Sequence, residues 1–325
     1  MISQRDPARG RLVDRRGRTI DYLRLSVTDR CNHRCRYCMP EEGVEKIEHR
    51  DVLRLEEAAE VCRAAADLGV RKVRVTGGEP LVRRGVEWLV AELARTPGVE
   101  TVALTTNGSL LAEAAADLHA AGLDGINVSL DTLDPERFRE ITRGGDLGRV
   151  LEGIDGAVRA GLPTKINAVL LGGVNADPES LWALASFAAE RGAGIRFIEM
   201  MDFGLGGDPV YLDEALAALG RGRRVEPIDR DPRSPHVTRF SVDGLEIGFI
   251  APISRSFCET CNKLRLTPDG RLLGCLVSGE GVDVREILRG RREEGDLERA
   301  VLAAVERKPH EARWPPDEEM WRVGG

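Results

Sequence analysis

The sequence predicts an α/β fold, in which a partial TIM-type barrel of six strand–helix units precedes a C-terminal extension. Two observations predict the barrel. Short β-branched segments alternate six times with alanine- and leucine-rich helical segments, as in parallel strands joined by helical crossovers. Polar or glycine-rich groups follow several strands, as they do at the active face of a barrel. Six units are too few to close an eight-stranded barrel, and a doubly wound open sheet is the alternative.

Each unit begins with a short strand rich in valine, isoleucine, leucine or threonine. The predicted strands are 21–28, 70–77, 99–108, 125–131, 164–172 and 194–200. The helical segments are 55–69, 86–96, 110–122, 135–142, 147–160 and 179–192. Gly69 ends the first helix in the position of a C-cap glycine.

The alternation stops near residue 200. A glycine-rich segment, 201–209, follows, and the segment 237–250 predicts a β-hairpin around Asp243 and Gly244. We therefore expect a barrel domain over residues 1–200 and a smaller C-terminal module over residues 201–325.

The net charge limits the classes of molecule that the protein is expected to bind. The net charge of −7 argues against nucleic acid, which needs a broadly basic surface. A local basic stretch instead indicates a pocket for a small anion; it contains Arg71, Lys72, Arg74, Arg83 and Arg84. No apolar run has the length of a membrane helix, and the N-terminus has no signal-peptide core. We therefore expect no membrane partner and a cytoplasmic location.

Six of the seven cysteines form two groups of three. The first group is Cys31, Cys35 and Cys38, and the second is Cys258, Cys261 and Cys275. Thiols stay reduced in the cytosol, so such groups indicate metal binding or catalysis. A [4Fe–4S] cluster usually takes four cysteines, and three would leave one iron free for a substrate or cofactor. A zinc site is the alternative for each group, with His33 or His49 completing the first.

The seventh cysteine, Cys62, lies on a helical pattern with Ala58, Ala59, Ala65 and Ala66. A buried core thiol is the expectation there.

Two motifs carry a family resemblance. The segment CNHRCRYCMP (31–40) resembles the cluster-binding loop of the radical S-adenosylmethionine (SAM) superfamily. The segment GGEP (77–80) resembles the motif that receives the amino group of SAM, since glycines bring carbonyls close and a glutamate can pair with an ammonium. The resemblance implies SAM contacts at Tyr37, Gly77, Gly78, Glu79, Thr106 and Ser129.

Nearly the whole chain resembles the GTP 3′,8-cyclase family, which begins molybdenum-cofactor biosynthesis. Matching segments include LRLSVTDRCNHRCRYCMP, VRVTGGEPLVRR, GFIAPISRSFCETCNKLRLTPDGRLLGCL and the final GG. The resemblance implies two [4Fe–4S] clusters: one cleaves SAM, and the other, in the C-terminal extension, meets the purine of GTP. A 5′-deoxyadenosyl radical then takes hydrogen from the ribose 3′ carbon, and the sugar radical adds to guanine carbon 8. An electron donor and a downstream pyranopterin-forming protein are implied as partners, and a homodimer is left open.

The resemblance also implies a set of basic residues that bind GTP. They are Arg24, Lys72, Arg74, Lys165, Arg196, Lys263 and Arg265. Among these, Arg24, Lys263 and Arg265 are predicted to be catalytic. Gly324 and Gly325 are predicted to insert near the SAM and GTP sites.

Two departures from the family leave a paralogue with another substrate open. Lysine stands at position 263, where the family usually has arginine, and the tail reads EEMWRVGG instead of ending with a Met-Ser pair before the glycines. The alternatives are a radical SAM enzyme with an auxiliary cluster that acts on a peptide or another small molecule, and a non-catalytic zinc or redox-sensing protein.

Overall fold

The structure is a computed structural model of the 325-residue chain. It describes residues 5–6, 10–201, 203, 205, 207–229, 231 and 234–314. The strands are β1 Arg5–Asp6, β2 Arg11–Leu12, β3 Tyr22–Ser26, β4 Lys72–Thr76, β5 Thr101–Thr106, β6 Gly125–Ser129, β7 Thr164–Leu170, β8 Gly194–Glu199, β9 Val225–Ile228, β10 Thr238–Val242, β11 Leu245–Ile250, β12 Lys263–Leu266, β13 Arg271–Leu273 and β14 Gly281–Asp283. The helices are α1 Leu55–Leu68, α2 Val86–Arg95, α3 Leu111–Ala120, α4 Pro135–Thr142, α5 Leu147–Arg159, α6 Pro178–Glu190, α7 Leu212–Leu219, α8 Val284–Arg289 and α9 Asp296–Glu306.

The sheet is built around the six predicted parallel strands. Strands β3 to β8 pair in succession and in parallel, which confirms the partial barrel. Strand β12 pairs in parallel with β3, and β11 pairs in parallel with β8. The full order is β14–β13–β12–β3–β4–β5–β6–β7–β8–β11–β10–β9. The C-terminal extension therefore continues the barrel sheet at both edges, which the sequence did not predict.

Local sequence explains where several elements begin and turn. Helices α4, α5 and α6 begin after Asp134, Asp146 and Asp177, whose carboxylates accept hydrogen bonds from the first free N–H groups. The predicted hairpin is formed by β10 and β11. Asp243 and Gly244 have φ values of 48° and 86°, the left-handed conformation that a tight hairpin turn requires.

The core lies between the sheet and the helices. Val73 on β4 and Leu104 on β5 are fully buried, and α1 packs its alanines and Val61 against the sheet. Cys62 is also fully buried in α1, which confirms the prediction of a core thiol. Burial of each large aliphatic side chain contributes ~1.5–3 kcal/mol, so this core holds the strand ends in place for the site.

Candidate active site

One large cavity brings most of the predicted site residues together. Its volume is about 420 Å³, and it extends between the two cysteine groups. It is lined by all six cysteines of the two groups and by all seven predicted GTP-binding residues: Arg24, Lys72, Arg74, Lys165, Arg196, Lys263 and Arg265. From the predicted basic stretch, only Lys72 and Arg74 reach it.

The first cysteine group lies on the loop after β3. The loop rests on the end of α4, where the N–H groups of Arg34 and Arg36 donate to the carbonyls of Thr142 and Ile141 at 3.0 Å. The Cys31 sulfur accepts the His33 N–H at 3.3 Å. These bonds position the loop around its thiols.

The chemistry of this first group fits an iron–sulfur cluster. Its three cysteines are free thiols. Burial raises the pKa of Cys35, and it raises the pKa of Cys38 to about 12. Neutral thiols are therefore favoured unless a cationic centre binds, because a metal holds cysteine as the thiolate. Cys31, Cys35 and Cys38 would hold such a cluster.

The glycines of GGEP allow close contact with this loop. A Cβ on Gly77 would lie 2.8 Å from the Thr28 carbonyl oxygen, and one on Gly78 would lie 2.5 Å from the Arg30 carbonyl oxygen. The Gly78 N–H donates to the Thr28 carbonyl at 2.7 Å. Residues with a side chain would push the two segments apart.

Glu79 lies behind the cavity wall. It is fully buried and does not line the cavity, unlike the other predicted SAM contacts: Tyr37, Gly77, Gly78, Thr106 and Ser129. Its carboxylate accepts the Thr106 hydroxyl at 2.7 Å and the N–H groups of Asn107 and Leu81 at 2.6 and 3.0 Å. Burial raises the pKa of Glu79 to about 7, although these hydrogen bonds act to lower the pKa. In this arrangement Glu79 positions the loop after β5, and its direct contact with SAM stays a prediction.

Asp131 also lines the cavity, although no sequence motif assigned it a role. Its carboxylate accepts the Tyr37 hydroxyl at 2.7 Å and the Val169 N–H at 2.8 Å, and it lines the cavity. Burial raises the pKa of Asp131 to about 6. The polar end of the fourth predicted strand, Ser129 to Asp131, was the available signal.

Strand register sets five of the seven predicted GTP-binding residues in two rows. Arg265, Arg24 and Arg74 lie side by side on β12, β3 and β4. Two residues earlier on the same strands, Lys263, Tyr22 and Lys72 form the second row. Because residues two apart share one face of a strand, both rows point into the cavity. The aromatic residue Tyr22 in the second row was not predicted.

Burial makes these cations strong candidates for an anionic ligand. The Lys263 ammonium is buried and makes no hydrogen bond within the described part of the chain. It lies 5.7 Å from the Tyr22 ring centroid and 5.2 Å from that of Phe257. Burial lowers the pKa of Lys263 to about 8 and that of Arg265 to about 9. A bound polyanion would replace the hydrogen bonds and charge interactions with water that these groups lose on burial.

The second cysteine group surrounds the β12–β13 hairpin. Cys258 and Cys261 precede β12, and the hairpin returns the chain to Cys275 after β13. The Cys258 sulfur accepts a hydrogen bond from the Ala312 N–H at 3.3 Å, and the Cys261 sulfur accepts one from the Lys308 ammonium at 3.4 Å. Burial raises the pKa of Cys261, but the charges of Lys308 and Lys263 outweigh it, and the pKa is lowered overall. Three free thiols among N–H donors fit a second cluster.

Two family models match successive parts of the chain. The Radical SAM superfamily model matches residues 25–185, and the Molybdenum Cofactor Synthesis C model matches residues 193–314. In the part that the structure describes, no helix is long and apolar enough to span a membrane.

Curated relatives match almost end to end. The GTP 3′,8-cyclase of Peptoclostridium acidaminophilum is 44% identical over 324 residues, which cover 97% of this chain and 98% of that protein. The GTP 3′,8-cyclase of Heliobacterium modesticaldum is 45% identical, over 92% of this chain and 94% of that protein. The solved structure of Streptococcus suis SuiB bound to S-adenosylmethionine has a TM-score of 0.62 at 16% identity, over 90% of this chain and 67% of that one, and shows the shared fold alone. The chain belongs to the GTP 3′,8-cyclase family of the radical SAM superfamily.

Proposed function

We propose that this chain is a radical SAM lyase that converts GTP to a 3′,8-cyclised GTP in molybdenum-cofactor biosynthesis. The observation that carries the proposal is the single cavity that joins both cysteine groups across two rows of basic residues. This arrangement suits a substrate with one polyanionic end and one aromatic end. The matching relatives are GTP 3′,8-cyclases over nearly their whole length, which supports the same activity here.

The first cysteine group and GGEP form the SAM end of the cavity in this proposal. Cys31, Cys35 and Cys38 would hold a [4Fe–4S] cluster, and Gly77, Gly78, Tyr37, Thr106 and Ser129 would contact SAM. When bound, this cluster and SAM supply the 5′-deoxyadenosyl radical. The residues of this end orient SAM, and Glu79 and Asp131 hold Asn107 and Tyr37 in place.

The basic rows would bind the triphosphate. Each charge-assisted hydrogen bond to phosphate is worth about 1.5–3 kcal/mol, so loss of one donor weakens binding about ten- to a hundredfold. Lys263 and Arg265 lie on β12, which follows Cys261 closely in the chain, and Arg24 lies on the neighbouring strand β3. They would hold the nucleotide with its base toward the second cluster on Cys258, Cys261 and Cys275.

An anaerobic assay with SAM, reductant and GTP tests the proposed function. We expect a cyclised product with the mass of GTP, together with 5′-deoxyadenosine, and no product from ATP. Replacing the second cysteine group by alanine should leave some 5′-deoxyadenosine but no cyclised nucleotide, and replacing the first should abolish both. Normal turnover without the second group, or a preference for a peptide or another nucleotide, would contradict the proposal.

Several finer expectations belong to the same proposal. An electron donor would reduce the first cluster, and a pyranopterin-forming protein would consume the product. The need for reduced thiols supports a cytoplasmic location. The division into residues 1–200 and 201–325, a homodimer and the insertion of the glycine pair stay predictions; Gly324 and Gly325 lie outside the described residues.

A further inference from the structure

A buried lysine lies beside the second cysteine group. Lys308 follows α9 and is 9% exposed. Its ammonium donates to the carbonyl oxygens of Lys263 and Gly274, both at 2.7 Å, and to the Cys261 sulfur at 3.4 Å. An ammonium has three N–H donors, so this geometry gives each of them an acceptor.

All three acceptors belong to the segments that carry the cysteines. Lys263 lies two residues after Cys261, and Gly274 directly precedes Cys275. A Cβ at Gly274 would lie 2.8 Å from the Lys308 Cα, so the close packing of the two segments depends on the glycine. Lys308 therefore joins the Cys261 and Cys275 arms of the group through one atom, Nζ.

The electrostatic setting gives this contact a second consequence. A buried ammonium needs a negative partner, and a carbonyl oxygen supplies only a partial charge. The sulfur that it contacts, on Cys261, would be a negatively charged thiolate as a cluster ligand. Hydrogen bonds and positive charge beside a cluster sulfur favour the reduced, more negative cluster and so raise its reduction potential.

We infer that Lys308 is a positioning residue of the second cluster, which ties its two arms together and raises its reduction potential through the N–H···S bond to Cys261. The inference rests on the proposed assignment of Cys258, Cys261 and Cys275 to that cluster. Lys308 lies far from the first cluster motif and 33 residues after Cys275 in the sequence. It acts through the Cys261 ligand and through the backbone next to the cysteines, not through the substrate.

The test uses full-length protein in which Cys31, Cys35 and Cys38 are alanine, so that only the second cluster gives a signal. After anaerobic reconstitution, iron content and an EPR-monitored redox titration are measured for the parent, Lys308→Met, Lys308→Arg and Arg307→Met. Arg307 is the matched control: it also carries a positive charge on this segment, but it is exposed and donates to the Gly281 carbonyl at 2.6 Å. We expect a lower midpoint potential in Lys308→Met, partial recovery in Lys308→Arg and no shift in Arg307→Met.

The outcomes separate the inference from the proposed function. A parent that binds no iron overturns the cluster assignment and this inference with it. If the parent and Lys308→Met each hold four irons and have equal reduction potentials, the inference about Lys308 is wrong, and the cluster assignment stands. If Lys308→Met loses its iron while its melting temperature matches the parent's, the positioning role is supported. In that case Lys308→Gln, which keeps N–H donors but has no charge, is used to test the effect on the reduction potential. An unshifted potential in loaded Lys308→Gln refutes the electrostatic part.

Discussion

The phenol oxygen of Tyr22 accepts a hydrogen bond from Arg74 Nε at 2.7 Å, in the middle of the basic cavity. The ammonium of Lys72 lies 5.1 Å from the same ring's centroid. Burial raises the pKa of Tyr22, but the charges of Arg74, Arg24, Lys72 and Lys263 outweigh it and lower the pKa to about 7. The phenolate, which forms as the pH rises through about 7, therefore offsets part of the positive charge of these cations.

This relationship predicts a pH dependence of GTP binding. A bound triphosphate brings negative charge beside Tyr22 and favours the neutral phenol, so binding above pH 7 takes up a proton. Affinity should fall as the pH rises through about 7, by at most about tenfold per pH unit for this group. Calorimetry with GTP from pH 6 to 9, in buffers of different ionisation enthalpy, measures both the affinity and the proton uptake.

Tyr22→Phe is the control for this prediction. Lys263, with its pKa lowered to about 8 by burial, loses charge in the same range and weakens binding in the same direction. Because the charge of Tyr22 raises the pKa of Lys263, the comparison is made in a Lys263→Met background, where the difference between proteins with and without Tyr22→Phe isolates the phenol. Equal pH profiles and equal proton uptake in the two proteins would contradict the role of Tyr22.

Arg265 provides the clearest test of the phosphate site. It is buried on β12 beside Arg24, and it lines the cavity. Arg265→Ala should weaken GTP binding about ten- to a hundredfold, because one charge-assisted donor is lost. Arg84→Ala removes an exposed arginine that does not line the cavity, and it should leave the affinity unchanged. Both variants should keep about eight irons per chain. Equal affinities in the two would rule out Arg265 as a phosphate ligand.

Gly78 should be required for the first cluster alone. In Gly78→Ala the new methyl group would lie 2.5 Å from the Arg30 carbonyl oxygen, so the cluster loop or the GGEP turn has to move. We expect about half of the iron to be lost, with the second cluster retained. Gly148→Ala, whose Cβ would come no closer than 3.2 Å to the Asp146 carboxylate, is the control and should keep both clusters. Full iron content in Gly78→Ala would show that the packing is not needed.

Local patterns made the barrel and its cysteines predictable from the sequence. The six strands follow from β-branched runs, and the cysteine groups follow from short spacings. The edge pairings of β11 and β12 were not predictable in this way, because they join segments that are far apart in the chain. The same reason applies to Lys308, which meets Lys263 across 45 residues. For Glu79 the motif was visible, but the sequence does not tell which side of the turn its carboxylate faces.

Lys263 tests whether the departure from the family alters the site. Its ammonium lies between the rings of Tyr22 and Phe257, buried and without a hydrogen bond in the described part of the chain. Arginine keeps the charge and adds a planar fork that suits phosphate, so Lys263→Arg should bind GTP at least as tightly as wild type. Lys263→Met keeps much of the side-chain length but not the charge, and it should weaken GTP binding about tenfold or more. Binding of guanosine, which has no phosphate, should be equal in all three proteins and serves as the internal control. Loss of GTP affinity in Lys263→Arg would show that the pocket is shaped for lysine, and unchanged affinity in Lys263→Met would place the triphosphate elsewhere.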